Sequence, residues 1–401
     1  MWRTMTLGEL CEIARGGSPR PIDEFLTDDP NGINWIKISD ATASDKYIYE
    51  TAEKIRPEGR SRSRYVESGD FLLSNSMSFG RPYILRTSGC IHDGWLVLRQ
   101  KLGLLDEEYL YYFLSSAEAY AQFDGLASGS TVRNLNSELV KKVRVSFPPL
   151  DEQKRIVAIL DEAFEGIKIA TANAEKNLAN AQELFAAELR RSFQQTSDWK
   201  QGALGDLVRF IDYRGKTPPK RDAGVRLITA KNVKMGFIRR EPEEFIDAAA
   251  YDTWMTRGYP AEGDVLFTTE APLANVALLD TSERVVIGQR LITMQPDEGV
   301  LRRRFLKYLL MSPQTQERIY ARATGATVKG IKAKWLKQIP IWYPATGLQD
   351  SLTDHLDAVS DETGRLAEFY TTRQRAFPAL RQSILARAFS GQLTAARERA
   401  A

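Results

Sequence analysis

The feature that most constrains this chain is that its sequence is written twice. Leu7-Gly8-Glu9-Leu10 recurs as Leu204-Gly205-Asp206-Leu207, and Trp35-Ile36-Lys37-Ile38-Ser39-Asp40 answers Leu227-Ile228-Thr229-Ala230-Lys231-Asn232. Gly69-Asp70-Phe71-Leu72-Leu73-Ser74 answers Gly263-Asp264-Val265-Leu266-Phe267-Thr268 at an offset of 194 residues. Ala127-Ser128-Gly129-Ser130-Thr131-Val132-Arg133 answers Ala323-Thr324-Gly325-Ala326-Thr327-Val328-Lys329 at an offset of 196, which then holds without a gap to Gln153/Gln349. One short match arises by chance; several in the same order at a nearly constant offset are a duplication. A chain of 401 residues also exceeds one ordinary core, so two copies of one unit are the expected architecture.

Each unit reads in two parts. The first is rich in short β-branched and aromatic runs punctuated by glycine and proline, with strands expected at Asp70–Leu73, Tyr83–Leu85, Trp95–Arg99 and Val143–Phe147. Helical stretches interrupt them at Glu107–Ala121 and Arg303–Arg322, without regular alternation, so the class is α+β. The second part, from Asp151 to about Phe193, has no proline and one glycine, Gly166. Leu160, Phe164, Ile167, Thr171, Ala174, Leu178, Ala181 and Phe185 recur at steps of three and four, which is a heptad seam. Leu352, Leu356, Val359, Thr363, Leu366, Tyr370, Phe377, Leu380 and Ile384 form its counterpart. The reading is two mixed α/β domains, 1–150 and 194–347, each followed by a long helix, 151–193 and 348–393, with a tail at 394–401. Each helix needs a partner for its apolar stripe, and packing as an antiparallel coiled coil with a pseudo-twofold between the units meets that need. Pro378 predicts a kink or restart in the second helix.

Composition narrows the function. Hydrophobic residues are 43% and charged residues 27%, with no run long enough for a membrane span and no leader pattern in MWRTMTLGEL. Cys11 and Cys90 lack metal or disulfide spacing, so a reducing, cytoplasmic setting is expected. Residues 1–150 carry 18 Lys+Arg against 20 Asp+Glu, a balance of −2, whereas residues 194–347 carry 24 against 17, a balance of +7. A basic domain suits a polyanion. His92 and His355 are far apart in sequence and read as structural. The chain has no GxxxxGK[ST] loop, no GxGxxG opening a helix and no GxSxG elbow. No catalytic constellation emerges, and the expectation is a non-catalytic protein with no cofactor or metal of its own.

The duplicated domain-plus-helix plan resembles the specificity subunits of type I restriction–modification systems. The likeness is carried by Gly16-Gly17-Ser18-Pro19, Ile36-Lys37-Ile38-Ser39-Asp40, Gly69-Asp70-Phe71-Leu72-Leu73-Ser74, Gly129-Ser130-Thr131 and Phe147-Pro148-Pro149-Leu150-Asp151-Glu152-Gln153. In the second unit it rests on Asp212-Tyr213-Arg214-Gly215-Lys216-Thr217-Pro218, Leu227–Val233 and Gly263-Asp264-Val265-Leu266, and at the end on Leu380–Leu385 and Ala388–Leu393. The helix start at Pro344-Ala345-Thr346-Gly347-Leu348-Gln349 departs from the proline–leucine–acid pattern, which leaves its position open by a few residues. The resemblance implies two target recognition domains, each reading one half of a split sequence in double-stranded DNA. It further implies that the helices set the spacing and dock two modification (methyltransferase) subunits, joined by restriction (motor-nuclease) subunits. S-adenosylmethionine chemistry would then belong to those partners. The alternatives are a scaffold whose domains bind protein, or the recognition half of a fused enzyme.

Base reading needs hydrogen-bonding side chains on loops, and affinity needs neutralised phosphates. The polar stretches after the Gly-Asp strands, Ser74-Asn75-Ser76 with Arg81 and Thr268-Thr269-Glu270 with Asn275, are candidate reading loops. Lys37, Ser39, Lys231 and Asn232 follow apolar runs and could project from strand ends, and Arg290 joins them as a loop cation. Arg133 and Lys329, at matching places in the glycine-rich loops, are candidate phosphate contacts. Arg56, Arg60, Arg62 and Arg64 read as a solvated face. Arg302-Arg303-Arg304 is notable as positive charge at a helix start.

Overall fold

The structure is a computed structural model that describes residues 2–75, 79–127, 134–213 and 218–394. It divides into two compact units, Met1–Asn173 with Arg373–Ala401, and Ala174–Thr372. Each unit therefore holds one globular domain and a part of both long helices.

In the first unit, one sheet runs in the order Cys11–Arg15, Trp95–Gln100, Phe71–Ser74, Pro82–Leu85, Tyr47–Ile48. A second runs Leu26–Thr27, Glu53–Ile55, Ile33–Ile36, Gly89–Ile91, Arg64–Val66. Phe71 to Ser74 and Pro82 to Leu85 are buried at every position, as strands covered on both faces must be. The second unit repeats this in reduced form. Its sheets run Val208–Asp212, Leu291–Pro296, Val265–Thr268, Val276–Leu278, and Phe245–Ile246, Val225–Ile228, Val285–Ile287. Both copies share one parallel strand pair, in which Ile36 lies opposite Ile91 and Ile228 opposite Ile287, and the first copy adds a second between Tyr47–Ile48 and Pro82–Leu85. The repeated Leu-Gly-x-Leu turn also has a cause. A Cβ on Gly8 would lie 2.9 Å from Lys141 Cβ, and one on Gly205 2.7 Å from Lys337 Cβ, so only glycine admits this approach.

The expected helical stretches each break in two, at Leu114/Ala117 and Met311/Pro313. The buried hydroxyls of Ser116 and Ser312 cause the break by donating to the carbonyls of Phe113 and Leu309, 2.7 Å away in both copies.

The long helices run Leu150–Ser192 and Thr346–Phe389, starting at equivalent residues. Loss of the proline–leucine–acid signal does not move the second start, because Gln349 holds it. Fully buried Gln153 donates to the carbonyls of Leu104 and Pro148 and accepts from Asp106 N. Gln349 makes the same three bonds, to Val300, Pro344 and Arg302. The expected restart at Pro378 does not occur: the helix continues through it. Pro378 is exposed, so the carbonyl that loses its amide partner lies on the water side.

Both units show antiparallel helix pairing. In the first, Ile156, Leu160 and Phe164 from early in one helix share a core with Leu385, Ala388 and Phe389 from the end of the other. In the second, Phe185, Leu189 and Phe193 pack with Leu352 and Leu356. His355, expected to be structural on the seam, reaches across to Glu188 at 2.7 Å. Leu380 departs from the predicted seam, being 46% exposed. Its neighbour Arg381 turns in instead and lies 4.4 Å over the Phe164 ring, whose face attracts a guanidinium. Phe389 meets Tyr109 and Phe113 at 5.3 and 5.5 Å, just as Phe193 meets Phe305 at 5.2 Å. Each domain is thus gripped by the end of one long helix and the start of the other.

Candidate nucleic-acid interface

Residues leaving the carboxyl ends of a parallel strand pair cannot continue the ladder, so their loops splay and open a crevice. Both copies have one at this point. In the first, Lys37 follows Ile36 and His92 follows Ile91, and the cleft between them measures about 880 Å³. Ser18, Arg20, Trp35, Lys37, Ser39, His92 and Asp93 are among its lining. In the second, Thr229 follows Ile228 and Gly288 follows Ile287, around a cleft of about 270 Å³ lined in part by Lys220, Thr229, Lys231, Glu244, Gln289 and Arg290.

The loop frames match. Asp40 accepts from Lys37 N at 2.7 Å, and Asn232 takes the same role for Thr229 N at 3.0 Å. Glu53 and Glu244, each opposite the strand before the cleft, carry a lysine ion pair: Glu53 with Lys37, and Glu244 with Lys220 at 2.7 Å. In the first cleft Ser18 donates to Asp93 at 2.9 Å, which foremost holds the Asp93 carboxyl below its usual range. Burial pushes the His92 imidazole down, so it is neutral near pH 7. Its Nδ1 accepts from Gly94 N at 2.9 Å, and a side chain at 94 would strike the ring. In the second cleft the turn is rewritten as Gly288-Gln289-Arg290. Arg290 has φ +73°, a left-handed conformation that costs a non-glycine residue about 1 kcal/mol or more. Its Nε lies 2.9 Å from Glu270.

The predicted site residues separate into two groups. Lys37 and Ser39 share the first cleft, and Lys231 and Arg290 the second. Lys329 joins the latter pair: it is exposed and adjoins Gly330, which bridges to the same Glu270 that holds Arg290. Arg81 is exposed but sits apart, over the Tyr83 ring at 5.1 Å. Ser74, Asn75, Asn232, Thr268 and Thr269 are corrected by the structure. All are at most 2% exposed. Ser74 and Thr268 accept from the backbone amides of Arg81 and Asn275 at 3.1 and 2.8 Å, and Asn75 donates to Asp93 O at 2.7 Å. Asn232 donates to the carbonyls of Arg239, Arg240 and Pro242. Polar side chains after a strand are needed to satisfy the backbone that the ladder abandons, and that is what Ser74, Asn75, Asn232 and Thr268 do. Ser76, Arg133 with its glycine-rich loop Ser128–Arg133, and Arg214–Thr217 lie outside the described residues. Asp93 and Gln289 of these clefts were not singled out in the sequence and His92 was read there as structural, although Ile91/Ile287 extends the 196-residue offset to the point where they begin.

Residues 1–179 match the family model of the type I restriction modification DNA specificity domain. Over most of its length the chain is similar to type I restriction enzyme specificity subunits. It is 22% identical to the type I restriction enzyme MjaVIII specificity subunit of Methanocaldococcus jannaschii over 90% of this chain and 86% of that protein. It is 23% identical to the EcoBI specificity subunit of Escherichia coli, over 98% of this chain and 86% of that one. Its fold matches the HsdS subunit from Thermoanaerobacter tengcongensis with a TM-score of 0.62 at 20% identity, over 98% of this chain and 97% of that subunit. It also matches a chain from a solved structure concerned with complex assembly and conformational transition of the type I R-M system, with a TM-score of 0.78 at 20% identity and 98% of each chain covered. The two solved chains share its fold over 98% of its length. Among the described residues no helix is long and apolar enough to cross a membrane.

Proposed function

We propose that this chain is the DNA sequence-specificity subunit of a type I restriction–modification system. Each domain reads one half of a split target in double-stranded DNA. The long helices dock two modification subunits, which supply adenine methylation, and restriction subunits add to that assembly. The chain itself is non-catalytic and works in the cytoplasm.

The observation that carries this reading is the pair of clefts: one frame, two chemistries. A protein that recognises two different half-sites needs the same scaffold twice with different polar rims, because base identity is read by side-chain donors and acceptors. The family match over residues 1–179 and the full-length relatives support it. Lys37, Ser39, Lys231, Arg290 and Lys329 are the contacts we assign, with Arg81 as an outlying cation and Arg133, outside the described residues, kept as a candidate phosphate contact. The test is to express the chain with its modification subunits in cells and map methylated adenines by sequencing. A split, non-palindromic motif is the expected result; methylation without any motif, or none above background, would refute the assignment.

A further inference from the structure

We propose that the two clefts are the base-reading sites of the two domains, and that the turn leaving the second parallel strand sets which bases each half-site contains. This rests on the reading of the chain as a DNA specificity subunit and names the residues that exercise it. The turn is His92-Asp93-Gly94 in one copy and Gly288-Gln289-Arg290 in the other.

Three observations carry the inference. The clefts occupy the same place, at the carboxyl ends of the same parallel pair. Their floors are kept, with Ile36 and Ile91 matched by Ile228 and Ile287, all fully buried, while the rim differs at Lys37/Thr229, Ser39/Lys231, His92/Gly288, Asp93/Gln289 and Gly94/Arg290. Finally, an arginine occupies a left-handed position where glycine would be free of strain. Fold alone gives no reason for that choice, since the side chain is half exposed and its ion pair to Glu270 is a surface pair.

The chemistry of the rims then distinguishes the half-sites. Held at Nε by Glu270, the Arg290 guanidinium presents its terminal amines, which match the two acceptors of guanine, O6 and N7. Gln289 beside it has the paired donor and acceptor that suit adenine. The first cleft offers instead the Asp93 carboxylate, steadied by Ser18 and by Arg20 at 3.6 Å, which accepts from an amino group such as cytosine N4. The second domain is therefore assigned a half-site containing guanine, and the first one containing cytosine on the contacted strand.

The experiment compares the motifs methylated by the wild-type chain, Arg290→Gly and Asp93→Asn, each expressed with its modification subunits, alongside unfolding midpoints of the full chains. Arg290→Gly is expected to lose discrimination of about tenfold or more at one guanine, in one half-site only, since a bidentate contact carries that order of selectivity. Its midpoint stays near the wild-type value because glycine relieves the backbone. Asp93→Asn should alter the other half only. Both variants keeping both halves unchanged would overturn the assignment of the clefts while leaving the specificity-subunit reading intact. A wild-type chain that directs methylation to no split motif overturns both.

Discussion

The start of the first domain's helix carries acids that meet bases beside the sheet; the start of the second domain's carries bases that meet a loop acid and acids of the long helix. Glu107 and Glu108 meet Arg86 and Lys46, with Glu107 and Arg86 joined by two bonds of 2.8 and 2.7 Å. The equivalent Arg303 and Arg304 meet Glu298 at 3.2 Å and Asp354 at 2.9 Å, together with Asp357. The polarity is inverted and the partners change from residues beside the sheet to a loop and the long helix. A tyrosine on the same helix donates to a carboxylate of the long helix in both copies, Tyr112 to Asp161 and Tyr308 to Asp357. The inversion changes how net charge translates into affinity. Part of the +7 balance of residues 194–347 is Arg302, Arg303 and Arg304, and the carboxylates of Asp350, Asp354 and Asp357 that neutralise Arg302 and Arg304 lie on the long helix, outside that segment. The arginines singled out at the helix start are joints, and the positive charge left for phosphate is smaller than the count suggests. The isolated chain should therefore bind any duplex weakly, with tight binding appearing in the assembled complex.

The parity of the two copies breaks first, if it breaks, at the buried glutamines. Gln153→Leu and Gln349→Leu each leave three backbone groups without their partner, one in a buried bond and two in part-buried ones, at about 1 kcal/mol per group. Losses of about 3 kcal/mol, alike within a factor of two, are expected in urea unfolding; a large loss at one position alone would show that the joints are not equivalent. A smaller effect separates the copies by pH. Burial raises the Asp357 carboxyl, but hydrogen bonds from Tyr308 and Arg304 outweigh it and hold it below its usual value. A carboxyl held low in the folded state adds stability above its unfolded value and loses it as pH falls through the folded one. Asp357→Asn should thus cost about 2 kcal/mol near pH 7, and the gap to wild type should close below about pH 4. Melting curves across that range test it.

At the clefts the comparison becomes finer. Arg290→Gly should leave stability within about 1 kcal/mol of wild type, since relief of the left-handed residue offsets the lost surface pair and the added chain entropy. A cost of several kcal/mol would mean that the arginine is structural. The smallest effect belongs to Lys329→Ala. It should weaken binding of the assembled complex a few-fold on every sequence alike and flatten the salt slope by about one, because a phosphate contact is blind to sequence. A change confined to one sequence would make Lys329 a base contact.

Much of this molecule was legible before its fold was known. The duplication, the strand runs, the long helices and their shared stripe follow from periodicity, because a strand or helix must repeat its apolar residues every two or 3.6 positions to bury them. Single positions were harder. Leu380 fits the heptad but faces water, and Pro378 fits a break yet sits inside a continuous helix, since both depend on which side the neighbouring elements cover. The candidate site shows the same division. Lys37, Lys231 and Arg290 are loop residues and Ser39 sits in the short helix Ile38–Thr42, and the polarity of all four just past a strand was visible in one dimension. Ser74, Asn75, Asn232 and Thr268 look the same on paper but bond inward to backbone, and Thr269 is buried.

The sequence by itself determined the repeat, the division of each copy into domain and helix, and the absence of known catalytic motifs. Those are properties of order and composition along the chain. Only the tertiary structure decided that residues 37 and 92, like 229 and 288, share one cleft, because a parallel pairing joins strands that are far apart in sequence. Only it decided which polar residues face that cleft and which satisfy the backbone beneath it. Side-chain direction at a strand end depends on the partner loop, and no local pattern records where that loop lies.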